Sequence, residues 1–510
     1  MNVAAIRFLL VLLSIFASES VVADIILPAI ISDHMVLKRG PDVGIWGRAD
    51  SGEEVTVSLD SQVRKAVADA DGNWRVVFDL RKTGNGPFEM PVKGKNELRI
   101  ADVVVGEVWV VSGQSNMAVG VGGSPGGKED RLANQYLRRF HVAQKKVGVP
   151  SNDAEGVWVS ASGEEAGRFS AVGYYFGKSL NSRLGVPVGL ITAVVGSSNT
   201  EAWTSTEAID SIPELKAGKI RRESEAAQAA AAAGPPGKPP QNSEFVASSL
   251  FNGMIHPLLP YAISGVIWYQ GETQASRAFQ YRTAFPLLIS DWRVRWKQGD
   301  FPFYFCQLPG FREKIGQPGD STWAELREAQ QMTLALPNTG QAVLIDLGES
   351  EDIHPANKRD VGERLSRVAL AKKYGQNISF CGPVYERMEI KNGRVILSFK
   401  HTDGGLKAAP LADTYIVNSS KNQRAPLVRN SPKSQLEGFA ICGKDKHWEW
   451  AEAAIEGENV VVWSEKVPSP VAVRYAWADN PTCNLTNASG LPAGSFRTDN
   501  FPQVTAQARY

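Results

Sequence analysis

Short runs of alternating apolar and polar residues characterise the chain over residues 24–105. The clearest runs are Val43-Gly44-Ile45-Trp46, Val55-Thr56-Val57-Ser58-Leu59, Trp74-Arg75-Val76-Val77-Phe78 and Glu97-Leu98-Arg99-Ile100. Alternation with a period of two is typical of half-buried β-strands, and a turn signal such as Asp71-Gly72-Asn73 separates two of the runs. The pattern predicts a small antiparallel β-sandwich domain over residues 24–105.

From Gly106 onward the pattern changes to apolar strands that alternate with helical segments. The predicted strands are 188–195, 265–269, 302–307 and 341–347, and the predicted helices are 172–184, 278–297, 322–335 and 357–373. Gly185 is expected to end the first of these helices. Strands that alternate with helices are typical of a parallel sheet covered by helices, so residues 106–375 are predicted to form one α/β domain.

An insertion interrupts the α/β pattern over about residues 207–242. It contains an alanine run, Ala227–Ala233, followed by Gly234-Pro235-Pro236-Gly237-Lys238-Pro239-Pro240. We interpret it as a helical excursion with a mobile tip, because alanine favours helix and a Gly/Pro-rich stretch forms loops. The tip either lies beside a binding cleft or is a tolerated surface insertion.

Strand-like runs return after about residue 376. They are Val384–Ile390, Val395–Phe399, Val460–Trp463 and Val471–Tyr475. A second β-rich region is therefore predicted over residues 376–510.

The first 23 residues have the features of a secretory signal peptide. Arg7 precedes the apolar run Phe8–Ala17, and Val21-Val22-Ala23 supplies small residues where a signal peptidase cuts. We predict cleavage after Ala23 and a secreted or periplasmic mature protein, and the alternative is an uncleaved anchor. After residue 23 no segment reaches the roughly 18 uninterrupted apolar residues of a membrane span, so no membrane association is expected after cleavage.

Charge and cysteine content exclude several classes of function. The 510 residues include 55 Lys and Arg and 54 Asp and Glu, so the net charge is +1. This charge is too small to attract nucleic acid or an anionic membrane. Cys306, Cys381, Cys442 and Cys483 lack the CxxC spacing of a structural zinc site. We expect neither metal nor cofactor. In an oxidising compartment disulfides can form, and Cys442 with Cys483 is the pair we favour.

A candidate nucleophile follows a run of apolar, strand-type residues, in Gly106-Glu107-Val108-Trp109-Val110-Val111-Ser112-Gly113-Gln114-Ser115-Asn116-Met117. The strand stops at a Ser-Gly turn, and Ser115 then lies where open α/β sheets bind their ligands. The alternative is a serine that only caps the next helix. Met117 fills the last place of Gly-x-Ser-x-Gly, so the nucleophile elbow of the α/β-hydrolases does not apply.

A serine hydroxyl needs a base, and histidine suits this task because its unperturbed pKa of about 6.5 is close to working pH. Of the six histidines, His354 is flanked by carboxylates and followed by Pro355, in a loop between a predicted strand and a predicted helix. His256 is the main competitor.

These segments resemble the SGNH-hydrolase superfamily, and within it the sialate O-acetylesterase branch of the carbohydrate esterases. The resemblance covers nearly all of the mature chain. It extends to Gly265–Glu272, Asn252-Gly253-Met254, Trp323–Gln330, Asp346–Pro355, Arg474–Trp477 and Phe496–Asp499. It implies a flavodoxin-like three-layer α/β/α sandwich with a parallel sheet, with accessory antiparallel β domains at both ends.

The resemblance also implies catalytic roles. Ser115 is the expected nucleophile and His354 the expected base. Most superfamily members have an Asp three residues before the histidine, where this chain has Glu351; the Asp-Ile-His-Pro form of the branch favours Asp352. Residues two apart in an extended chain are distant unless the loop bends. A backbone carbonyl that orients His354 therefore remains an alternative to both carboxylates.

The expected oxyanion donors are the backbone N–H groups of Ser115 and Gly196 and the side-chain amide of Gln270. Gln270 occupies the place where related enzymes use Asn, and its alternative role is a buried amide that ties two loops together. The chain has Gly196-Ser197 where relatives more often show a Gly-Gly-Thr run. The resemblance therefore does not determine the backbone conformation at this position.

Three further residues are assigned to the site. Asn116 and Glu272 are expected to orient the reacting groups. Trp203 follows a polar loop and is expected to face the sugar ring, although tryptophan in the core, as with Trp268, is the alternative.

The function expected from the sequence is that of a secreted serine esterase that removes O-acetyl groups from a carbohydrate. O-acetylated sialic acid is the substrate implied by the resemblance, and acetylated xylan is the close alternative. A rival from another class is a non-catalytic carbohydrate-binding protein on the same scaffold, in which the β domains bind the sugar.

Overall fold

The structure is a computed structural model, which describes residues 24–127, 129–131, 133–232, 246–411, 430–431 and 434–510. The expected signal peptide, residues 1–23, lies outside the described residues. So does the Gly/Pro-rich tip of the insertion, because the described part of that segment ends at residue 232.

The strands and helices follow one another along the whole described chain. The strands are β1 Val36–Lys38, β2 Val43–Arg48, β3 Glu54–Leu59, β4 Gln62–Val67, β5 Asn73–Phe78, β6 Phe88–Lys93, β7 Glu97–Gly113, β8 Asn134–His141, β9 Trp158–Ala161, β10 Val188–Val194, β11 Gly265–Tyr269, β12 Phe303–Gln307, β13 Thr339–Val343, β14 Val384–Lys391, β15 Arg394–Lys400, β16 Leu406–Ala408, β17 Phe439–Cys442, β18 Trp448–Trp450, β19 Glu452–Glu456, β20 Asn459–Trp463, β21 Ala472–Tyr475, β22 Leu485–Asn487 and β23 Phe496–Arg497. The α-helices are α1 Ser115–Ala118, α2 Gly163–Gly167, α3 Ala171–Leu184, α4 Thr206–Asp210, α5 Pro213–Ala232, α6 Ala278–Trp296, α7 Thr322–Met332 and α8 Lys358–Lys372. Short 3₁₀ turns lie at Val121–Gly123, Thr200–Trp203, His256–Leu258, Glu272–Arg277 and Thr333–Ala335, and one π turn at Phe251–Ile255.

The central sheet has the order β13-β12-β11-β7-β10-β8-β9. All its pairs are parallel except β8 with β9. From β7 the chain builds the sheet outward in both directions, and right-handed crossovers then place the connecting helices on opposite faces. Accordingly α3 packs against α8, and α6 against α7. The predicted α/β fold with a parallel sheet is confirmed.

Local sequence explains why α3 has the bounds that the sequence predicts. The Ser170 hydroxyl accepts a hydrogen bond from the Gly173 N–H at the N-terminus. Gly185 takes a left-handed conformation at φ +67° and ends the helix. Between these signals lie eight buried residues, which cover the sheet.

One strand, β7, joins the N-terminal β region to the central sheet. It is 17 residues long. Its first part pairs with β6 and β1, and its second part with β10 and β11. Buried residues from both regions, such as Val55 and Val110, belong to one hydrophobic core. A boundary drawn between residues 105 and 106 therefore falls inside a continuous strand.

The strand predicted over 341–347 is displaced toward the N-terminus, to Thr339–Val343. The chain turns after Val343, and the Leu347 N–H donates to the Leu344 carbonyl at 2.9 Å. The apolar run continues past the strand because Leu344 packs into the main core and Ile345 into the core of the C-terminal region. Apolar residues that are buried in two different cores therefore produce the same continuous apolar run as a longer strand would.

The C-terminal region forms antiparallel sheets with a core of their own, as the sequence predicts. Arg327 on α7 attaches this region to the α/β domain. The guanidinium is fully buried and donates to the carbonyl oxygens of Leu308, Ala478 and Asp479 at 2.7–2.9 Å.

The prediction of a disulfide between Cys442 and Cys483 is wrong, because the two side chains are not joined. Cys483 lies against Gly438, just before β17, and Cys442 ends that strand. Four residues of strand span about 13 Å. A disulfide requires Cα atoms within about 7 Å.

Two helices of the insertion are described, α4 and α5. They agree with the helical excursion that the alanine run predicts. Among the described residues, α5 and the other helices are not long and apolar enough to cross a membrane.

Candidate active site

The candidate residues follow three neighbouring strands of the sheet, at the edge where these strands end. Val194 on β10 and Tyr269 on β11 both pair with Gly113, the last residue of β7. The chain segments after these three residues therefore leave the sheet side by side. Ligands of open α/β sheets bind at this edge.

The turn between β7 and α1 positions Ser115. Gly113 has φ +131°, and a Cβ atom there would lie 2.1 Å from the Tyr269 carbonyl oxygen, so the position requires glycine. The Gln114 N–H donates to the same carbonyl at 3.0 Å. Ser115 is the first residue of α1 and not its N-cap, which is Gln114. Its backbone N–H therefore has no acceptor within the helix and is available to a ligand.

Ser115 and His354, which are 239 positions apart, meet at this edge. The distance from Ser115 Oγ to His354 Nε2 is 2.9 Å. The imidazole is about 40% exposed, so substrate and water can reach it. A hydroxyl at hydrogen-bond distance from an imidazole nitrogen is the arrangement that activates a serine nucleophile.

The loop before His354 bends back on itself and brings Asp352 to the ring. The His354 N–H donates to Asp352 Oδ1 at 2.8 Å, which closes an Asx turn. The same oxygen lies 3.5 Å from His354 Nδ1. Within the part of the chain that the structure describes, no other carboxylate oxygen lies within 4.0 Å of the His354 ring nitrogens. Asp352 is therefore better placed than Glu351 to orient the ring, although its side chain is 58% exposed.

Gly196 lies beside Ser115. A Cβ atom on Gly196 would be 3.7 Å from the Ser115 Cβ. The next residue, Ser197, has the left-handed φ of +57°. This is a conformation that glycine adopts at less cost than serine. The chain thus keeps a glycine-like backbone at the position where relatives more often have a second glycine.

Gln270 is fully buried, and its amide is engaged by neighbouring loops. Nε2 donates to Gln274 Oε1 at 2.9 Å, to the Ser198 carbonyl at 3.2 Å and to Thr273 Oγ1 at 3.3 Å. Oε1 accepts from the Tyr281 hydroxyl at 3.0 Å. An amide has two donor hydrogens, so these contacts match the alternative of a buried amide that ties loops together. Its role as oxyanion donor stays a prediction.

Replacing Gln270 with alanine should lower kcat about 10²- to 10³-fold, the loss typical of one oxyanion donor. Gln274→Ala is the matched control, because Gln274 is equally buried and joins the same loops through Thr200 and Glu201. Acetyl ester turnover and thermal unfolding of both variants would separate the two roles. Equal losses of kcat in the two variants would leave Gln270 with the loop-tying role alone.

Asn116, Glu272 and Lys358 form a buried network beneath the Ser115–His354 pair. Asn116 Nδ2 donates to Glu272 Oε1 at 2.6 Å and to the Ile353 carbonyl at 2.8 Å. Asn116 Oδ1 accepts from Lys358 Nζ at 2.5 Å. Asn116 thus joins Glu272 to the residue before His354. The expected role of Asn116 and Glu272 in orienting the reacting groups stays a prediction.

Burial shifts the pKa values of both charged groups in this network. Desolvation raises the pKa of Glu272, against the opposing effects of its hydrogen bonds and of Lys358. Desolvation lowers the pKa of Lys358 to about 8. Lys358 is not among the site residues expected from the sequence. The signal that could have found it is a lysine at the start of a predicted helix, where the helix dipole disfavours a cation.

Trp203 does not face a substrate, contrary to the expectation from the sequence. Its side chain is fully buried, and its ring packs edge-on against Trp268, with centroids 6.2 Å apart. The indole N–H donates to Ser198 Oγ at 2.8 Å. The polar partner for the indole lies inside the protein, which allows the ring to join the core.

The competing histidine, His256, has other partners. Its Nδ1 lies 3.0 Å from the Ser151 carbonyl oxygen, and its ring packs edge-on against Phe251. Among the residues that the structure describes, no group of three or more His, Cys, Asp and Glu side chains is arranged to hold a metal ion.

The chain is similar to a family of sugar esterases along most of its length. Residues 242–371 match the family model of carbohydrate esterases described as sialic acid-specific acetylesterase. Sialate O-acetylesterase of Mus musculus is 30% identical over 91% of this chain and 93% of its own length. The same enzyme of Homo sapiens is 30% identical over 92% of both chains.

A solved structure shows the same fold. The crystal structure of a carbohydrate acetylesterase from Xanthomonas citri superimposes with a TM-score of 0.79. It is 34% identical in sequence, and the match covers 94% of this chain and 100% of that one.

Proposed function

The chain belongs to the sialate O-acetylesterase family of carbohydrate esterases and is a carboxylic ester hydrolase, and we propose that it is a secreted serine enzyme that removes O-acetyl groups from sugars. The substrate we favour is O-acetylated sialic acid, after the family model and the mammalian relatives.

A single observation carries the proposed mechanism. The hydroxyl of Ser115 lies 2.9 Å from Nε2 of His354, at the edge of the sheet where ligands bind. Both side chains are accessible to solvent in part. A general base at hydrogen-bond distance from a hydroxyl, with an open approach, supports acyl transfer through a serine.

In the first half of the reaction, Ser115 Oγ attacks the acetyl carbonyl carbon while His354 Nε2 takes the hydroxyl proton. The carbonyl oxygen becomes an oxyanion, which the backbone N–H groups of Ser115 and Gly196 stabilise, with Gln270 as the predicted third donor. When the tetrahedral intermediate collapses, the bond to the sugar oxygen breaks. His354 gives its proton to that oxygen, and the sugar leaves as an alcohol.

The second half regenerates the enzyme. His354 takes a proton from a water molecule, and the resulting hydroxide attacks the carbonyl of the acetyl-serine. The second tetrahedral intermediate releases acetate, and the proton returns from His354 to Ser115 Oγ. Since each half uses the same base and the same donors, the site needs no further reactant than water.

Acetate release from two acetylated sugars tests the substrate. The protein should release acetate from O-acetylated sialic acid with a higher kcat/KM than from acetylated xylan. A higher kcat/KM for xylan would assign the chain to polysaccharide deacetylation instead, since both substrates present the same ester to Ser115.

Turnover of p-nitrophenyl acetate tests the rival function, a non-catalytic carbohydrate-binding protein. An esterase with an exposed serine–histidine pair should hydrolyse this small ester. A binding protein on the same scaffold should not exceed the rate of the buffer. If the protein hydrolysed neither this ester nor the acetylated sugars, the result would favour the carbohydrate-binding function over the esterase.

Replacing Asp352 with asparagine should lower kcat on the order of 10²-fold. Replacing a buried triad aspartate lowers kcat about 10⁴-fold. The Asp352 carboxylate is more than half exposed, so water weakens its electrostatic effect on His354 and the expected loss is smaller. Glu351→Gln is the matched control and should keep nearly full activity. A loss confined to Glu351→Gln would move the acid role to Glu351, and no loss in either variant would indicate a Ser115–His354 dyad.

Secretion is proposed from the first 23 residues, whose charged, apolar and small-residue segments follow one another as in cleavable leaders. The N-terminal sequence of the exported protein should begin at Asp24. An exported protein that retains Met1–Ala23 would contradict cleavage at this site.

A further inference from the structure

Lys358 occupies a position that is unfavourable for a lysine in two ways. Its side chain is fully buried, although a lysine is almost never buried without a partner. It is also the first residue of α8, where the positive end of the helix dipole repels a cation. Contacts elsewhere in the protein must offset both costs.

Two contacts of the Lys358 ammonium lead to the candidate active site. Nζ donates to Asn116 Oδ1 at 2.5 Å and lies 5.6 Å from the centre of the Tyr269 ring. Asn116 directly follows Ser115, and Tyr269 ends the strand that flanks the nucleophile turn. The ammonium therefore touches the residue next to the nucleophile and not the nucleophile itself.

The amide of Asn116 links the two loops that bear the reacting groups. Its Nδ2 donates to the carbonyl of Ile353, the residue before His354, at 2.8 Å, and to Glu272 Oε1 at 2.6 Å. The amide thus has a cation on its oxygen side and an anion on its nitrogen side. Lys358 and Glu272 together determine which way the amide points, because the flipped amide would direct N–H groups at the ammonium.

We propose that Lys358 is a positioning residue of the esterase, whose ammonium fixes the Asn116 amide and thereby the spacing between Ser115 and His354. The inference rests on the proposed serine mechanism, because it concerns the alignment of that pair. A displacement of about 1 Å in reacting groups can cost on the order of 10²-fold in rate. Lys358 touches neither the substrate nor the reacting atoms.

The charge of Lys358 depends on pH in the working range. Burial lowers its pKa to about 8, and the facing groups Glu272, Cys306, Asp352 and Glu349 act in the opposite direction. As the pH rises through about 8, the ammonium becomes an amine and its hydrogen bond to Asn116 loses charge assistance. We therefore expect kcat to decline on the alkaline side of neutrality, with Lys358 as the group responsible.

Lys358→Met is the first test, because methionine retains most of the length of the side chain without the charge or the hydrogen-bond donor. Relative to wild type, kcat for p-nitrophenyl acetate should fall about 10- to 10²-fold. KM should change only a few-fold, since Lys358 does not contact substrate. The alkaline decline of kcat should be absent in the variant.

Glu272→Gln provides a readout that a merely structural role of Lys358 would not affect. Glu272 is the facing group that raises the pKa of Lys358 most strongly. Its neutralisation should therefore lower that pKa and move the alkaline decline of kcat to lower pH. If Lys358→Met does not fold, this shift still tests the inference on a variant that keeps Lys358.

Lys38→Met is the matched control. Burial lowers the pKa of Lys38 as well, but Lys38 pairs with Gly106, seven residues before the end of β7. That is about 23 Å of strand away from the site. The control should keep the wild-type kcat and pH profile.

The outcomes separate this inference from the proposed function. A wild-type protein without acetyl ester turnover overturns the serine mechanism itself. Wild-type turnover with no alkaline decline, a folded Lys358→Met variant with wild-type kcat, or an unshifted decline in Glu272→Gln would each overturn the inference alone. A loss of kcat in Lys38→Met equal to that in Lys358→Met would also overturn it.

Discussion

Replacing Ser115 with alanine should lower kcat for acetyl ester hydrolysis about 10⁶-fold. In the proposed mechanism the variant lacks the oxygen that forms the acetyl-enzyme, while the backbone N–H groups at positions 115 and 196 remain. Some rate above that of water should therefore persist, as in other serine hydrolases without their nucleophile. Steady-state turnover of p-nitrophenyl acetate measures the loss, and thermal unfolding should show no large loss of stability because Ser115 is only half-buried.

Ser182→Ala is the control for this substitution, since Ser182 is exposed on α3. It should have wild-type kcat. Equal rates for Ser115→Ala and wild type would show that another residue or a contaminant hydrolyses the ester.

Replacing His354 with alanine should cause a loss of similar size, about 10⁶-fold in kcat. Without the imidazole, the Ser115 hydroxyl has no base at 2.9 Å and the departing sugar oxygen has no acid. Because the ring is about 40% exposed, its removal leaves a cavity open to solvent. Added imidazole should therefore restore part of the activity of the variant, which a loss of folding would not allow.

His256→Ala is the matched control for His354→Ala. His256 has its own partners, the Ser151 carbonyl and the Phe251 ring, so its substitution should change kcat only a few-fold. A greater loss in His256→Ala than in His354→Ala would exchange the roles of the two histidines.

The double variant Ser115→Ala, His354→Ala should be about as slow as either single variant. Residues that act as one unit in proton transfer and attack are not additive, since either substitution already removes the whole step. If the losses multiplied, the two residues would act in separate steps.

The bounds of most helices and strands of the α/β domain were predictable from local sequence. The predicted strand 265–269 has those same bounds in the structure, and α3 and α8 agree with their predictions within one residue. The reason is that a strand or a helix imposes its own spacing of apolar residues, and caps such as Ser170 and Gly185 act on adjacent backbone. The strand predicted over 341–347 departs from its prediction because its apolar residues are buried in two different cores.

The chemistry of the site was predictable in its residue types but not in its contacts. Ser115 was found because it follows an apolar strand, and Gly196 and Gln270 were assigned through the family resemblance, each at the end of a further apolar strand. The Asx turn that brings Asp352 to the ring joins residues only two apart. That the Gln270 amide also binds the Ser198 carbonyl, and that Trp203 packs against Trp268, depends on neighbours distant in the sequence. Lys358 was missed for the same reason, since its partner Asn116 lies 242 positions away.

The sequence by itself determined the order of the elements, the strand that ends at Ser115 and the residue types able to act as nucleophile and base. Only the tertiary structure decided that Ser115 and His354 lie 2.9 Å apart and that Asn116 joins their loops. The physical reason is that side-chain periodicity reports on neighbours within a few residues. The order of strands in the sheet, which brings distant loops to one edge, is determined by packing of the whole domain.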